Sequence, residues 1–147
     1  MSAPEVQFHT GMTDPEVFVC RMLRKACRQG VRVQVTAPEE VLALLDRLLW
    51  TFEERDFVPH VRVAAVAQAL ASRTPIWLTP AALGADAPRV LLNLGAEAPP
   101  RPLELERIIE VVAAAPDEAR RGRERWRQYK QLGLVVVHMP EPGLGSA

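Results

Sequence analysis

The chain is poor in the residues that carry chemistry. It has only two cysteines, Cys20 and Cys27. Both fall in one predicted helix, seven residues and so ~10 Å apart along its axis. That is too far for a disulfide between them, and they read as buried thiols in a reducing compartment. The three histidines, His9, His60 and His138, are scattered and pair with no cysteine at metal-ligand spacing, so no zinc site is expected. Glycine is sparse, with eight in 147 residues. None of them builds the phosphate cradle of a P-loop or of a dinucleotide fingerprint. Gly143 and Gly145 lie in the terminal tail, where no helix follows. Serine occurs only at positions 2, 72 and 146, which leaves no nucleophile elbow. No catalytic residue, cofactor or metal is assigned, and the expectation is a protein that is not an enzyme.

No stretch approaches the ~18 consecutive apolar residues of a membrane-spanning helix. The opening residues Met1 to Glu5 lack the basic start and apolar run of a secretory signal. A cytoplasmic location is the expectation.

About half of the residues, 48%, are apolar, enough for the core of one ordinary domain. Strand and helix patterns alternate. Val6 to Phe8 reads as a strand. Thr13 or Asp14 caps a helix with Pro15 in its first turn, a stripe of Val19, Met22, Leu23 and Ala26, and Gly30 at its end. Val31, Val33 and Val35 alternate with polar residues as a second strand. Pro38 to Trp50 is a helix with Val41, Leu44, Leu45 and Leu48 on one face. Pro75 to Leu78 and Val90 to Leu94 read as strands, the latter apolar enough to be covered on both faces. Arg107 to Ala115 reads two ways: its β-branched residues favour a strand, and the residues just before it favour a helix. Pro116 and Asp117 open a last helix that runs to Gly133, and Leu134 to Val137 form a final strand. This alternation predicts a three-layer α/β domain over residues 1–139, a largely parallel sheet flanked by helices. Residues 140–147 are expected to form a flexible tail.

The formal net charge is zero, but the charge is uneven. Residues 120–130 hold six basic residues against Glu124 alone, a net of +5, so the remainder carries −5. One compact basic element on a neutral protein suits a small acidic target better than duplex DNA. At 100° per residue, Arg123, Arg127 and Lys130 share a face with Arg120 at its edge. Trp126 stands beside them, Tyr129 lies further round, and Gly122 leaves room next to the indole. The plain reading is a solvated basic helix packed by Trp126, Tyr129 and Leu132. The competing one adds Gly133 and Trp50 to make an apolar hollow rimmed by guanidinium groups. Such a hollow suits a peptide that ends in an aromatic residue and a free carboxylate.

Four stretches then resemble the chi subunit family of DNA polymerase III. They are Phe18 to Met22 through Gly30 to Val33; Leu48-Leu49-Trp50 with Phe57-Val58-Pro59-His60; Val90 to Leu94; and Arg123-Glu124-Arg125-Trp126-Arg127-Gln128-Tyr129-Lys130 with Gly133. They come in the family's order and cover nearly the whole chain. The resemblance implies a mononucleotide-binding-like α/β fold without its nucleotide site, and no catalysis. It implies an adaptor that binds the acidic C-terminal tail of single-stranded DNA-binding protein. It also implies a link to the clamp loader through the psi subunit, with nucleic acid met only indirectly. Carried over by position, the tail site comprises Arg123, Trp126 and Arg127, with Lys130, Trp50 and Gly133 beside them. Trp126 stands where the family has tyrosine, and Arg127 where it has lysine; both changes keep an aromatic plane and a cation. Nothing is carried over between His60 and Pro75, where the chain departs from the family.

Phe57 and Val58 are candidates for the psi interface, with simple core packing as the competing reading. Two other functions stay open. One is a direct binder of single-stranded nucleic acid that stacks bases on Trp126 and Tyr129. The other is an α/β enzyme that holds a phosphorylated small molecule with its arginines.

Overall fold

A computed structural model describes residues 3–51, 58–63, 74–84 and 86–140. Seven strands form one parallel sheet in the order β3-β4-β2-β5-β6-β1-β7. They are β1 (Glu5–Met12), β2 (Val33–Thr36), β3 (His60–Arg62), β4 (Ile76–Thr79), β5 (Val90–Asn93), β6 (Arg107–Ala113) and β7 (Val136–Pro140). The described helices are α1 (Pro15–Arg28), α2 (Glu39–Thr51) and α3 (Pro116–Gln131). A 3₁₀ turn, Pro102–Glu104, precedes β6. None of these helices is long and apolar enough to cross a membrane. The three-layer α/β arrangement is the one expected from the sequence, and every strand pairing is parallel.

The ambiguous segment resolves as a strand because the sheet is covered on both faces. Along β6, Ile109 and Val111 face the core under α1 and α2, whereas Ile108 and Val112 face α3. The first core joins these to Val19 and Leu23 of α1 and to Leu42, Leu45 and Leu49 of α2. The α2 stripe is therefore centred one residue beyond the predicted one, and Val41 and Leu48 flank it half-buried. In α1, Asp14 caps as expected, its carboxylate accepting from the Val17 N–H. Cys20 is buried, but Cys27 is only half-buried, so one of the two thiols departs from the expectation. The final strand starts two residues later than predicted and runs on to Pro140, paired along β1.

The strand β3 was missed. It is three residues long, and the pattern around Phe57 to His60 reads as irregular. His60 fixes it by bridging the Val58 carbonyl oxygen and Asp46 of α2, at 2.7 and 2.8 Å.

The order of the strands also sets where a site can form. Strand β1 sends its helix over one face of the sheet, toward β2. Its neighbour β6 sends α3 over the other face, toward β7. Where successive connections part to opposite faces, the carboxyl ends of the strands leave a crevice.

Candidate functional site

Helix α3 builds the site, and its two long faces behave differently. Gly122, Arg125 and Tyr129 form the stripe that meets the sheet. A Cβ on Gly122 would lie 2.9 Å from Val112, so only glycine lets the helix approach β6 this closely. A glycine inside a helix costs about 1 kcal/mol relative to alanine, so this contact offsets a local penalty.

One turn further, a carboxylate is fully buried. Glu110 has no exposed surface. Its Oε1 accepts from Arg125 Nε at 2.9 Å and its Oε2 from the Tyr129 hydroxyl at 2.7 Å. Asn93 donates to both oxygens and binds the Ala96 backbone. Burial pushes the Glu110 carboxyl upward, opposed by the Arg125 guanidinium and these donors. The Tyr129 hydroxyl is pushed well above its ordinary range by burial and by the adjacent carboxylate.

This corrects two expectations. Arg125 is 5% exposed and counterbalances a buried charge, so it adds nothing to a basic surface. Tyr129 is 1% exposed and bonded, so it offers no platform on which a base stacks.

The next stripe of α3 is open. Trp126 is half-buried, with Phe8 of β1 edge-on at 5.0 Å. Lys130 lies 5.9 Å from the centre of the indole. Beside it opens a cavity of about 520 Å³, within the range that holds small ligands. Its apolar basin is Phe8, Val112, Ala113, Ala119, Gly122 and Trp126, and Arg123 and Arg127 stand on its rim. These two guanidinium groups are exposed and make no ion pair among the described residues. By contrast Arg120 leans toward Asp117, and Arg121 pairs with Glu118 and the Gly95 carbonyl. The cavity sits at the carboxyl ends of β1, β6 and β7, in the crevice that the strand order leaves.

The predicted site residues are thus only partly brought together. Arg123, Trp126 and Arg127 line the cavity, and Lys130 flanks it through the indole. Gly133 is further off, in the left-handed turn (φ +79°) that ends α3. Trp50 is not part of the hollow. It ends α2 on the other face of the sheet, 63% exposed, with its ring against His60 of the distant edge strand β3. The family resemblance put Trp50 beside Trp126, and no local pattern in the sequence says which face of the sheet α2 covers. Val58 is 2% exposed in the core under α2, and Phe57 lies outside the described residues. Sequence reasoning missed Phe8, Thr10 and His138, which join the cavity from strands. The available signal was the alternation of β1, which puts Phe8 and Thr10 on one face.

The chain matches the family model described as DNA polymerase III chi subunit, HolC, over residues 3–137. It is also 32% identical over 123 residues to the DNA polymerase III subunit chi of Pseudomonas aeruginosa, covering 80% of each chain. A match over nearly the whole described fold, with a curated relative at this identity, places the chain in the DNA polymerase III chi subunit family.

Proposed function

We propose that this chain is a non-catalytic replisome adaptor whose α3 cavity captures the acidic C-terminal tail of single-stranded DNA-binding protein. The observation that carries this reading is the pairing of an apolar basin with two rim arginines that have no acidic partner among the described residues. A terminal aromatic ring fills the basin against Phe8 and Trp126. The terminal carboxylate and nearby aspartates meet Arg123 and Arg127 in charge-assisted hydrogen bonds. Lys130 adds a cation at the indole edge, and Gly133 contributes only by ending the helix there. The link to the clamp loader, through psi, belongs to another surface. Phe57 remains its candidate, and Val58, buried in the core, does not reach a partner directly.

Calorimetry with an aspartate-rich peptide ending in phenylalanine tests the tail site. Burying the ring contributes about 1.5–3 kcal/mol. Deleting the last residue is therefore expected to weaken binding by about tenfold or more. Equal affinity for the two peptides would rule the reading out.

A further inference from the structure

The strand side of the cavity carries polar groups of its own. His138 of β7 stands in register with Phe8 of β1, so both side chains lie on the α3 face of the sheet. Its ring meets Trp126 edge-on, at 5.9 Å between centres and 89° between planes. Its Nε2 lies 2.6 Å from the Thr10 hydroxyl, and both residues line the cavity. The imidazole is thus steered by contacts from two different elements while its residue stays exposed at the rim.

We propose that His138, steered by Thr10, is a third anion-contacting residue of this cavity, whose charge makes capture of an acidic tail tighten in mildly acid conditions. The inference rests on the tail-binding reading above. It follows from what surrounds the ring. From α3 the ring meets Trp126, Arg123 and Arg127 line the same cavity, and Lys130 lies beyond the indole. From β1 it meets Thr10, and β6 with the residue that follows it contributes only Val112, Ala113 and Ala114 to the lining. Among the described residues no carboxylate lines the cavity.

With Nε2 bound to Thr10, Nδ1–H is a donor in two states. In the neutral Nδ1–H tautomer the threonine hydroxyl donates to Nε2. In the imidazolium Nε2–H donates to the threonine oxygen. Protonation therefore keeps the geometry and adds charge. Imidazole is the side chain whose charge ordinarily changes between about pH 5 and 8. An anion seated between His138 and the arginines favours the charged ring, and by linkage binding takes up a proton.

The test is titration of the full chain with an aspartate-rich peptide ending in phenylalanine, from about pH 8 to about pH 5.5. Over this range the carboxylates of the peptide stay ionised. One exposed charge is worth about threefold to fivefold in affinity, so the parent is expected to bind that much more tightly at the acid end. His138→Gln keeps a hydrogen-bonding group without the charge. Whatever its affinity at about pH 8, it should lose the rise toward about pH 5.5. Calorimetry in two buffers of different ionisation heat should show proton uptake by the parent and less by the variant. A flat profile in the parent, or an unchanged rise and uptake in His138→Gln, would overturn the inference and leave the tail site standing. No peptide binding by the parent at any pH would sink the tail site and the inference together.

Discussion

Arg125 and Arg127 are two residues apart in one helix and do opposite things. Arg125 lies in the stripe with Gly122 and Tyr129, where its charge is tied to Glu110 under the helix. Arg127 lies in the stripe with Arg123 and Trp126, where the charge faces a cavity. Helical phase decides between them, since a step of 200° carries a side chain from the core to the rim. The run of six basic residues therefore overstates the charge available to a partner. Arg125 is neutralised inside, and Arg120 and Arg121 have acidic neighbours on their own helix. Arg123, Arg127 and Lys130 remain, clustered within two turns.

The largest effect should come from the inner stripe. Arg125→Ala strands a buried carboxylate, a change that typically costs about 3–5 kcal/mol. Chemical denaturation should show that loss, and replacing Glu110 by Gln in the same chain should recover part of it. If Arg125→Ala unfolds like the parent, the two stripes do not differ as described. The outer stripe should behave in reverse. A charge-assisted contact contributes about 1.5–3 kcal/mol, so Arg123→Ala should weaken tail-peptide binding by about tenfold or more. Its denaturation midpoint should barely move. A variant that loses both properties would show that Arg123 also supports the fold.

The inner stripe should also carry an alkaline limb. The folded Tyr129 hydroxyl titrates above its unfolded value of about 10. Its contribution is therefore complete below about pH 10 and is lost as the pH rises further. Tyr129→Phe should flatten that limb at a cost of about 1–3 kcal/mol, since Glu110 loses one of its donors. An equally steep fall in the variant would assign the limb to other groups. Cys20 has a related fate, its thiol pushed up to about 11 by burial and then by Asp14 and Glu16. Native protein treated with an alkylating reagent near neutral pH should keep Cys20 unmodified, and rapid labelling would show that α1 opens.

The smallest effect should fall at Trp50. Standing on the other face of the sheet, it should change tail-peptide affinity by less than about twofold when replaced by alanine. That lies within the usual ±0.5 kcal/mol of surface substitutions. A loss as large as that of Arg123→Ala would mean that the two faces communicate.

The sequence made much of the frame legible. The cap at Asp14, the alternation through Val33 and Val35, and the apolar run of Val90 to Leu94 each carry a local physical signature that survives folding. The two readings of Arg107 to Ala115 could not be separated, because a strand covered on both faces and a buried helix present the same apolar run. Glu110 was readable in principle. A lone carboxylate between Ile108 and Val112 at alternate positions has to be buried if the segment is a strand, and then it requires a cation. Its partner, fifteen residues away, is fixed by how α3 lies on the sheet, which no local pattern encodes. The same holds for the cavity. Its helical wall follows from periodicity, whereas Phe8, Thr10 and His138 reach it through strand order.

That strand order has a consequence for how the protein is made. Among the described strands β1 pairs with β6 and β7, which come far later in the sequence. Its backbone partners follow it by 102 residues in β6 (Glu5 to Arg107) and by 130 in β7 (Val6 to Val136). Contacts of such separation close late and slow folding. Strand β1 has to wait, with Val6 and Phe8 uncovered, until β6 and β7 have emerged. Since the cavity draws on β1, β6, α3 and β7 at once, it is among the last features to form. A chain arrested before β7 would carry every arginine of the rim and still have no complete pocket.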